Sequence, residues 1–292
     1  MWERFGKVQN YVEPFFGSGA VLLARPGFRP GQERAWVETV NDADGMLVNF
    51  WRALRVDPDG LAAACDLPVL ELDLHAWHRR IVDGRAGFRE RLQVDPDFFD
   101  VEIAGRWVWG VSATIGGEWG NRQSDFRACP VIGGSLLGEG VHGRTDTLLR
   151  LRALARRLRY TRVCCGDWAR VTSNAVIYSP CTGMFLDPPY SQGSGGCASK
   201  PLYAADVLDA GVLDLPSQVA TWCLANGDNP KLRIALCGYE GEHDHLEGAG
   251  WSVVAWKAHG GYARRSLLND NANRERVWFS PHCLSAAQST LF

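Results

Sequence analysis

The chain has 292 residues, of which 46% are hydrophobic and 22% charged, and a mass of 32.2 kDa. This is the composition of a globular protein, and it excludes a disordered, collagen-like or coiled-coil chain. No apolar run reaches the roughly 18 residues of a membrane span, and the first residues lack the basic and then apolar order of a signal peptide. We therefore expect a cytoplasmic protein with no membrane partner.

The cysteine content and the charge indicate the redox state of the thiols and the kind of partner. The nine cysteines are scattered and contain no C-x-x-C pair, which is typical of reduced thiols. The formal net charge is -2, so no global basic field points to a nucleic acid. Residues 144–170 nevertheless hold eight arginines against Asp146 and Asp167. This stretch is either a local basic surface or the solvated face of a helix.

The first elements of the chain follow a βαβ pattern. Residues 11–24 run from a short extended segment through a glycine turn into an apolar helical run. Residues 36–42 predict a second strand that ends in an acid, and residues 46–54 predict the next helix. These elements indicate the first half of a doubly wound α/β sheet.

Residues 58–144 interrupt this pattern. Proline and glycine punctuate the stretch, strands are hard to find, and residues 106–120 set three tryptophans among glycines. We interpret 58–144 as a lobe inserted into a catalytic core of residues 1–57 and 145–283, with residues 284–292 as a tail.

The α/β pattern resumes after the lobe. The predicted elements are helices over 145–160 and 215–225 and strands over 162–167, 183–187 and 233–237. The last two strands, 251–256 and 276–280, are expected to pair as an antiparallel hairpin at the edge of a mainly parallel sheet.

A glycine turn and a following acid suggest a cofactor site. Gly17 and Gly19 would let a ligand approach the backbone closely at the start of a helix. The turn is a weak motif by itself, because the third glycine of the dinucleotide fingerprint is missing. Asp42, with Asp44 nearby, follows about twenty residues later and suits the hydroxyls of a ribose. The combination indicates an adenosine-containing cofactor, and the alternative for Asp42 is a helix N-cap or an acid in a solvated turn.

The strongest motif is Asp187-Pro188-Pro189-Tyr190, which follows an apolar strand. Its prolines fix an extended turn and remove two N–H donors, so carbonyls and flanking side chains face outward at the carboxyl edge of the sheet. The Asp187 carboxylate and the proline carbonyls can accept both hydrogens of an amino group on a base, while the Tyr190 ring stacks on that base. The alternative is an exposed Pro-Pro turn.

These motifs together resemble the adenine-specific DNA methyltransferases of the DNA adenine methylase class. The matching segments, in the family's order, are Glu-Pro-Phe-Phe-Gly-Ser-Gly at 13–19, Asn-Asp at 41–42 with 47–51, Cys-Gly-Asp-Trp at 165–168, Asp-Pro-Pro-Tyr at 187–190, Leu-Tyr at 202–203 and 273–278. The resemblance implies the Rossmann-like, doubly wound fold of S-adenosylmethionine-dependent methyltransferases with an inserted target-recognition lobe. It also implies methyl transfer to the amino group of a flipped adenine, with S-adenosylhomocysteine as product and no metal.

The resemblance assigns roles to individual residues. The implied cofactor-binding residues are Tyr11, Glu13, Pro14, Phe15, Gly17 and Gly19, with Asp42 at the ribose, Asp167 and Trp168 at the adenine, and Asp187 at the border with the target. Asp187, Pro188, Pro189 and Tyr190 would hold the target base. The family's tetrapeptide begins with Asp or Asn, and Asp favours adenine in DNA over a glutamine side chain.

Double-stranded DNA is the expected partner of what we expect to be a monomer. The residues expected to contact it are Arg106, Trp109, Arg122, Lys200 and Arg274. For 106–120 the alternative is a small core around its tryptophans. The pairs His75-x-x-His78 and His243-x-His245 have the spacing of metal ligands, but no further histidine or cysteine supports a zinc site.

One family feature is not found in this sequence. Members of the class carry a basic Gly-Gly-Lys-type segment before the cofactor loop, and residues 1–7 do not match it. We therefore expect weak S-adenosylmethionine binding, and the alternative function is a truncated, catalytically weak DNA-binding remnant of such an enzyme. A nucleotide-dependent oxidoreductase would explain Gly17, Gly19 and Asp42, but it gives no reason for residues 187–190.

Overall fold

The computed structural model describes residues 1–27, 36–114, 119–120, 130, 146–177, 181–190, 215–255 and 274–285. The helices of this part are α1 (Trp2–Phe5), α2 (Ala20–Leu23), α3 (Gly45–Val56), α4 (Pro58–Cys65), α5 (Glu71–Val94), α6 (Val101–Ser112), α7 (Thr147–Arg157), α8 (Asn174–Ile177) and α9 (Leu215–Asn226). The strands are β1 (Asn10–Glu13), β2 (Val37–Asp42), β3 (Thr161–Cys165), β4 (Thr182–Leu186), β5 (Leu232–Tyr239), β6 (Ser252–Ala255) and β7 (Glu275–Phe279). Short 3-10 helices cover Trp168–Val171 and Asp244–Ala249.

The seven strands form one sheet in the order β3-β2-β1-β4-β5-β7-β6. β1 to β5 pair in parallel, and β7 lies antiparallel between β5 and β6. The expected α/β class is thus confirmed: the sheet is mainly parallel, its antiparallel pair lies at one edge, and the arrangement is compatible with a Rossmann-like fold. Among the helices that the structure describes, none is both long and apolar enough to cross a membrane.

Burial along the strands follows their place in the sheet. Every residue of the central strands β1 and β4 is buried, whereas every residue of the edge strand β6 is exposed. Parallel strands covered on both faces read as continuous apolar runs, and this is why β4 could be predicted from its sequence. The carboxyl ends of β1 to β5 meet at one edge of the sheet, which we call the carboxyl edge.

The chain divides into two compact units. The first contains the described residues of Met1–Ala43, of 160–199 and of 212–292, including the whole sheet, and the second contains those of Asp44–Arg159. The second unit is helical in its described part and includes α3 and α7, because both pack against α4. The second unit therefore extends beyond the predicted lobe of 58–144 at both ends. The role of that lobe in target recognition stays a prediction.

The first half of the tryptophan- and glycine-containing stretch 106–120 is helical. Residues up to Ser112 belong to α6, and its glycines allow close packing rather than a turn. A Cβ on Gly105 would lie 2.3 Å from the Cβ of Ala64, and one on Gly110 would lie 2.0 Å from the ring of Trp119. Glycine is thus needed at both positions because a neighbouring side chain occupies the space of its Cβ.

The tryptophans of this stretch form the core that was the alternative prediction. Trp109 is fully buried, and its ring meets that of Trp119 edge to face at 6.3 Å. The indole N–H of Trp119 donates to the carbonyl of Trp107 at 3.1 Å. Met46, Leu74, Ile81, Phe88 and Leu92 complete the same cluster.

Candidate active site

The residues between β1 and α2 form a turn with two glycines in left-handed conformations. We call residues 14–19 the glycine loop. Gly17 has φ 46° and Gly19 has φ 67°, which other residues adopt only with strain. A Cβ on Gly19 would lie 2.7 Å from the Phe16 ring, whereas a Cβ on Gly17 would meet no atom within 4 Å. Gly17 therefore borders open space, as close approach of a ligand to the backbone requires.

The end of β2 holds the glycine loop in place. Asn41 Nδ2 donates to the carbonyl oxygens of Pro14 at 3.0 Å and of Gly166 at 2.9 Å. Asp42 Oδ2 accepts the N–H of Gly17 at 2.9 Å. The segments that follow β1, β2 and β3 are thus connected by hydrogen bonds at the carboxyl edge.

Asp42 is not the N-cap of α3. The cap is Asp44, whose Oδ1 accepts the N–H of Met46 at 2.9 Å. Asp42 is half-buried and bonded to the glycine loop, so the N-cap alternative is excluded. Its contact with a ribose stays a prediction.

An aromatic pair lies beside the glycine loop. The rings of Phe15 and Trp168 stack with 6.1 Å between centroids and 28° between planes, and Trp168 also packs edge to face on Trp222 at 6.3 Å. Asp167 is exposed and accepts the N–H of Ala169 at 2.8 Å, which caps the 3-10 helix after β3. The structure thus brings Asp167 and Trp168 to the edge of the sheet that carries the glycine loop.

Residues 187–190, which we call the target segment, follow β4 directly. The hydroxyl of Tyr190 donates to Asp187 Oδ1 at 2.9 Å. Pro188 is buried and Asp187, Pro189 and Tyr190 are half-buried, so the segment is not an exposed Pro-Pro turn. Burial raises the pKa of Asp187, and the hydrogen bond from Tyr190 partly offsets this effect.

Glu13 is a second buried carboxyl at this edge. It is 2% exposed, and the Tyr11 hydroxyl donates to its Oε2 at 2.9 Å. Burial raises the pKa of Glu13 to about 8. The carboxylates of Asp187 and Asp42 also raise this pKa, while hydrogen bonds from Tyr11 and the Leu22 backbone lower it. Glu13 is therefore mostly protonated at pH 7 unless a positive charge approaches it.

Three residues around Tyr190 were not singled out from the sequence. Tyr239 meets the Tyr190 ring edge to face, with 4.7 Å between centroids. Glu275 is the Cα partner of Tyr239 in the β5–β7 pairing, and Cys237 is buried two residues before it. The available signal for Tyr239 was its place just after a predicted strand, where ligand-binding residues gather in α/β sheets. No local signal pairs it with Glu275, because long-range strand pairing decides that contact.

The expected DNA contacts differ widely in their surroundings. Arg106 is half-buried, with its guanidinium over the rings of Trp77 at 5.1 Å and Trp109 at 5.4 Å. Trp109 has no exposed surface, so we no longer propose that it contacts DNA directly. Arg274 lies over the Tyr239 ring at 5.2 Å. Arg122 and Lys200 lie outside the described residues.

The arginines of α7 are partly neutralised by acids. Arg150 pairs with Asp146 at 2.8 Å, and Arg152 pairs with Asp59 of α4. All four side chains are about half exposed to solvent, where ion pairs contribute little. These contacts favour the solvated helix face over a dedicated basic surface for this part of the stretch.

The histidine pairs do not assemble a metal site in the part of the chain that the structure describes. No three of its histidine, cysteine, aspartate and glutamate side chains are grouped closely enough to hold an ion. His78 Nδ1 instead accepts the N–H of Gly120 at 3.1 Å. His243 and His245 line a cavity of about 310 Å³ together with Glu242 and with Ser217 and Thr221 of α9.

Comparisons with known proteins leave the family open. No protein-family model matches the sequence, and no curated protein is similar enough to indicate a relative. The functional assignment therefore depends on the residues at the carboxyl edge and on the motif resemblance described above.

Proposed function

We propose that this protein is an S-adenosylmethionine-dependent DNA methyltransferase that modifies the exocyclic amino group of adenine. The observation that carries the proposal is the half-buried Asp187 carboxyl, bonded to Tyr190, at the carboxyl end of β4. β4 pairs in parallel with β1, so the target segment and the glycine loop emerge from neighbouring strands. The charge of Asp187 also raises the pKa of Glu13, the last residue of β1 before the glycine loop. A methyl donor and an acceptor need this proximity.

The residues at the glycine loop fit the proposed cofactor. Open space at Gly17 admits a ligand to the backbone, and Asp42 beside it suits ribose hydroxyls. Glu13 offers an acid to a cation, and Phe15 with Trp168 offers an aromatic wall to an adenine. When bound, S-adenosylmethionine supplies an electrophilic methyl group on a positively charged sulfur. The mainly parallel sheet is compatible with the Rossmann-like fold that the resemblance implies.

The target segment can bind and orient an aromatic amine. A base that is paired inside a duplex cannot reach the Asp187 carboxyl, so it must be flipped out at a cost of a few kcal/mol. Stacking on Tyr190 would return about 1–3 kcal/mol of this cost. The Asp187 carboxylate would accept a hydrogen of the amino group while it also accepts that of the Tyr190 hydroxyl, because it has two acceptor oxygens. It would also stabilise the positive charge that develops on the nitrogen before a proton leaves.

Two measurements on the whole chain test the proposal. Calorimetry should detect S-adenosylmethionine binding, with NAD as the control ligand for the oxidoreductase alternative. Methyl-labelled S-adenosylmethionine should then transfer label to DNA that lacks methylated adenine, and nucleoside analysis should identify N6-methyladenine. DNA binding without S-adenosylmethionine binding would favour the non-enzymatic alternative. Label on cytosine or on protein would contradict the choice of target.

A further inference from the structure

The Tyr190 ring is supported from two directions in the structure. Its hydroxyl donates to Asp187 Oδ1 at 2.9 Å, and its ring meets Tyr239 at 4.7 Å with 73° between the planes. In an edge-to-face pair only one ring offers a face to the other. At least one face of Tyr190 is therefore left uncovered by Tyr239, whichever ring contributes the edge.

Tyr239 is itself held firmly at the carboxyl end of β5. Its backbone N–H donates to Glu242 Oε2 at 2.8 Å, and it pairs with Glu275 across the antiparallel β7. The guanidinium of Arg274 lies 5.2 Å from the centre of its ring. Two of these contacts hold the backbone of Tyr239 and the third lies over its ring, so Tyr239 can restrict the motion of its neighbour Tyr190.

We propose that Tyr239 is a positioning residue for the target base, acting through Tyr190. This inference rests on the proposed function, because Tyr190 needs a defined ring orientation only if a planar group stacks on it. With Tyr239 in place, Tyr190 keeps a face that Tyr239 does not cover, on which the base would stack while Asp187 meets the amino group. Without the aromatic neighbour, Tyr190 would turn more freely, and fewer bound bases would reach the geometry for transfer.

The variants Tyr239→Leu and Tyr239→Phe test this role. Leucine removes the ring contact, whereas phenylalanine removes only the hydroxyl. An aromatic pair is worth enough to predict a loss of about two- to tenfold in kcat for the leucine variant. We expect its KM for S-adenosylmethionine and its melting temperature to change little, and the phenylalanine variant to keep most of the activity. Tyr160→Leu, at a tyrosine that is 38% exposed and lies directly before β3, is the matched control.

A double-mutant cycle separates positioning from a general structural effect. If Tyr239 acts through Tyr190, then Tyr239→Leu should have little further effect on kcat in a Tyr190→Leu background. Three outcomes would overturn the role of Tyr239 and leave the proposed function intact. They are additive losses in the double mutant, an equal loss in the phenylalanine variant, and an unchanged kcat in the leucine variant. A native chain that neither binds S-adenosylmethionine nor methylates DNA would overturn the proposed function, and the role of Tyr239 with it.

Discussion

The hydroxyl of Tyr11 donates a hydrogen bond to the carboxyl of Glu13, with 2.9 Å between Oη and Oε2. The two residues are alternate positions of β1, so their side chains lie on the same face of the strand. Both are almost completely buried, and burial also raises the pKa of the Tyr11 phenol well above its ordinary value. The hydrogen bond gives the buried carboxyl a donor but no opposite charge. Ionisation of Glu13 therefore stays costly.

Glu13 should make the folded chain less stable as the pH rises from about 4.5 to about 8. Folded Glu13 keeps its proton up to a pKa of about 8, whereas the unfolded chain loses it near the ordinary value of 4.5. The folded state binds more protons in this window, so the free energy of unfolding falls as the pH rises through it. Glu13→Gln removes this titration. Between pH 4.5 and 9 its stability should improve relative to native by on the order of 1 kcal/mol or more.

Urea unfolding at several pH values measures this difference. Glu275, whose pKa is also raised by burial, is present in both proteins and cancels in the comparison. Parallel stability curves for the two proteins would show that Glu13 ionises normally.

Replacing Asp187 by alanine should abolish methyl transfer while the fold and the affinity for S-adenosylmethionine change little. The reason is that the proposed partner of this carboxyl is the target amine. Asp187→Asn is the matched control, because an amide oxygen still accepts a hydrogen from the amine and from Tyr190. Label incorporation into DNA by the alanine variant above a tenth of the native rate would refute the assignment.

Asp42→Ala should weaken S-adenosylmethionine binding by about 1.5–3 kcal/mol, the range for hydrogen bonds to a charged group. Two contacts contribute to this expectation: the observed bond from Gly17 and the proposed bonds from a ribose. Asp42→Asn keeps an acceptor for the Gly17 N–H and should therefore retain part of the affinity. Calorimetric affinities equal to native in both variants would remove Asp42 from the binding site.

Gly110→Ala should destabilise the helical unit although alanine is the better helix former. Its Cβ would lie 2.0 Å from the Trp119 ring, which is 7% exposed and enclosed by the core. Overpacking of this kind costs about 1–3 kcal/mol. Gly84→Ala is the control: Gly84 is an exposed position inside α5 where a Cβ meets no atom within 4 Å, and it should gain about 0.5–1 kcal/mol. Thermal unfolding that moves both variants in the same direction would contradict the packing argument.

Helix α5 is the longest helix in the described part of the chain, yet it was not predicted from the sequence. Its buried side chains follow helical spacing at Leu74, His78, Ile81, Arg85, Phe88 and Leu92. Two of these six are polar, so the apolar periodicity is interrupted where the helix is in fact buried. Arg85 can be buried because it donates to the carbonyl of Gly120 and pairs with Asp44 at 3.0 Å. Such partners are distant in sequence and cannot be inferred from local pattern.

The sequence by itself determined the strands β1 to β7, the helices α3, α7 and α9, the glycine loop and the target segment. These features depend on local properties: apolar runs, glycine and proline conformations and acids at strand ends. Only the tertiary structure decided that β7 lies between β5 and β6, that Glu13 is buried beside two other acids, and that Tyr239 contacts Tyr190. Pairing, burial and electrostatic coupling depend on which distant segments meet, and that follows from packing the whole chain.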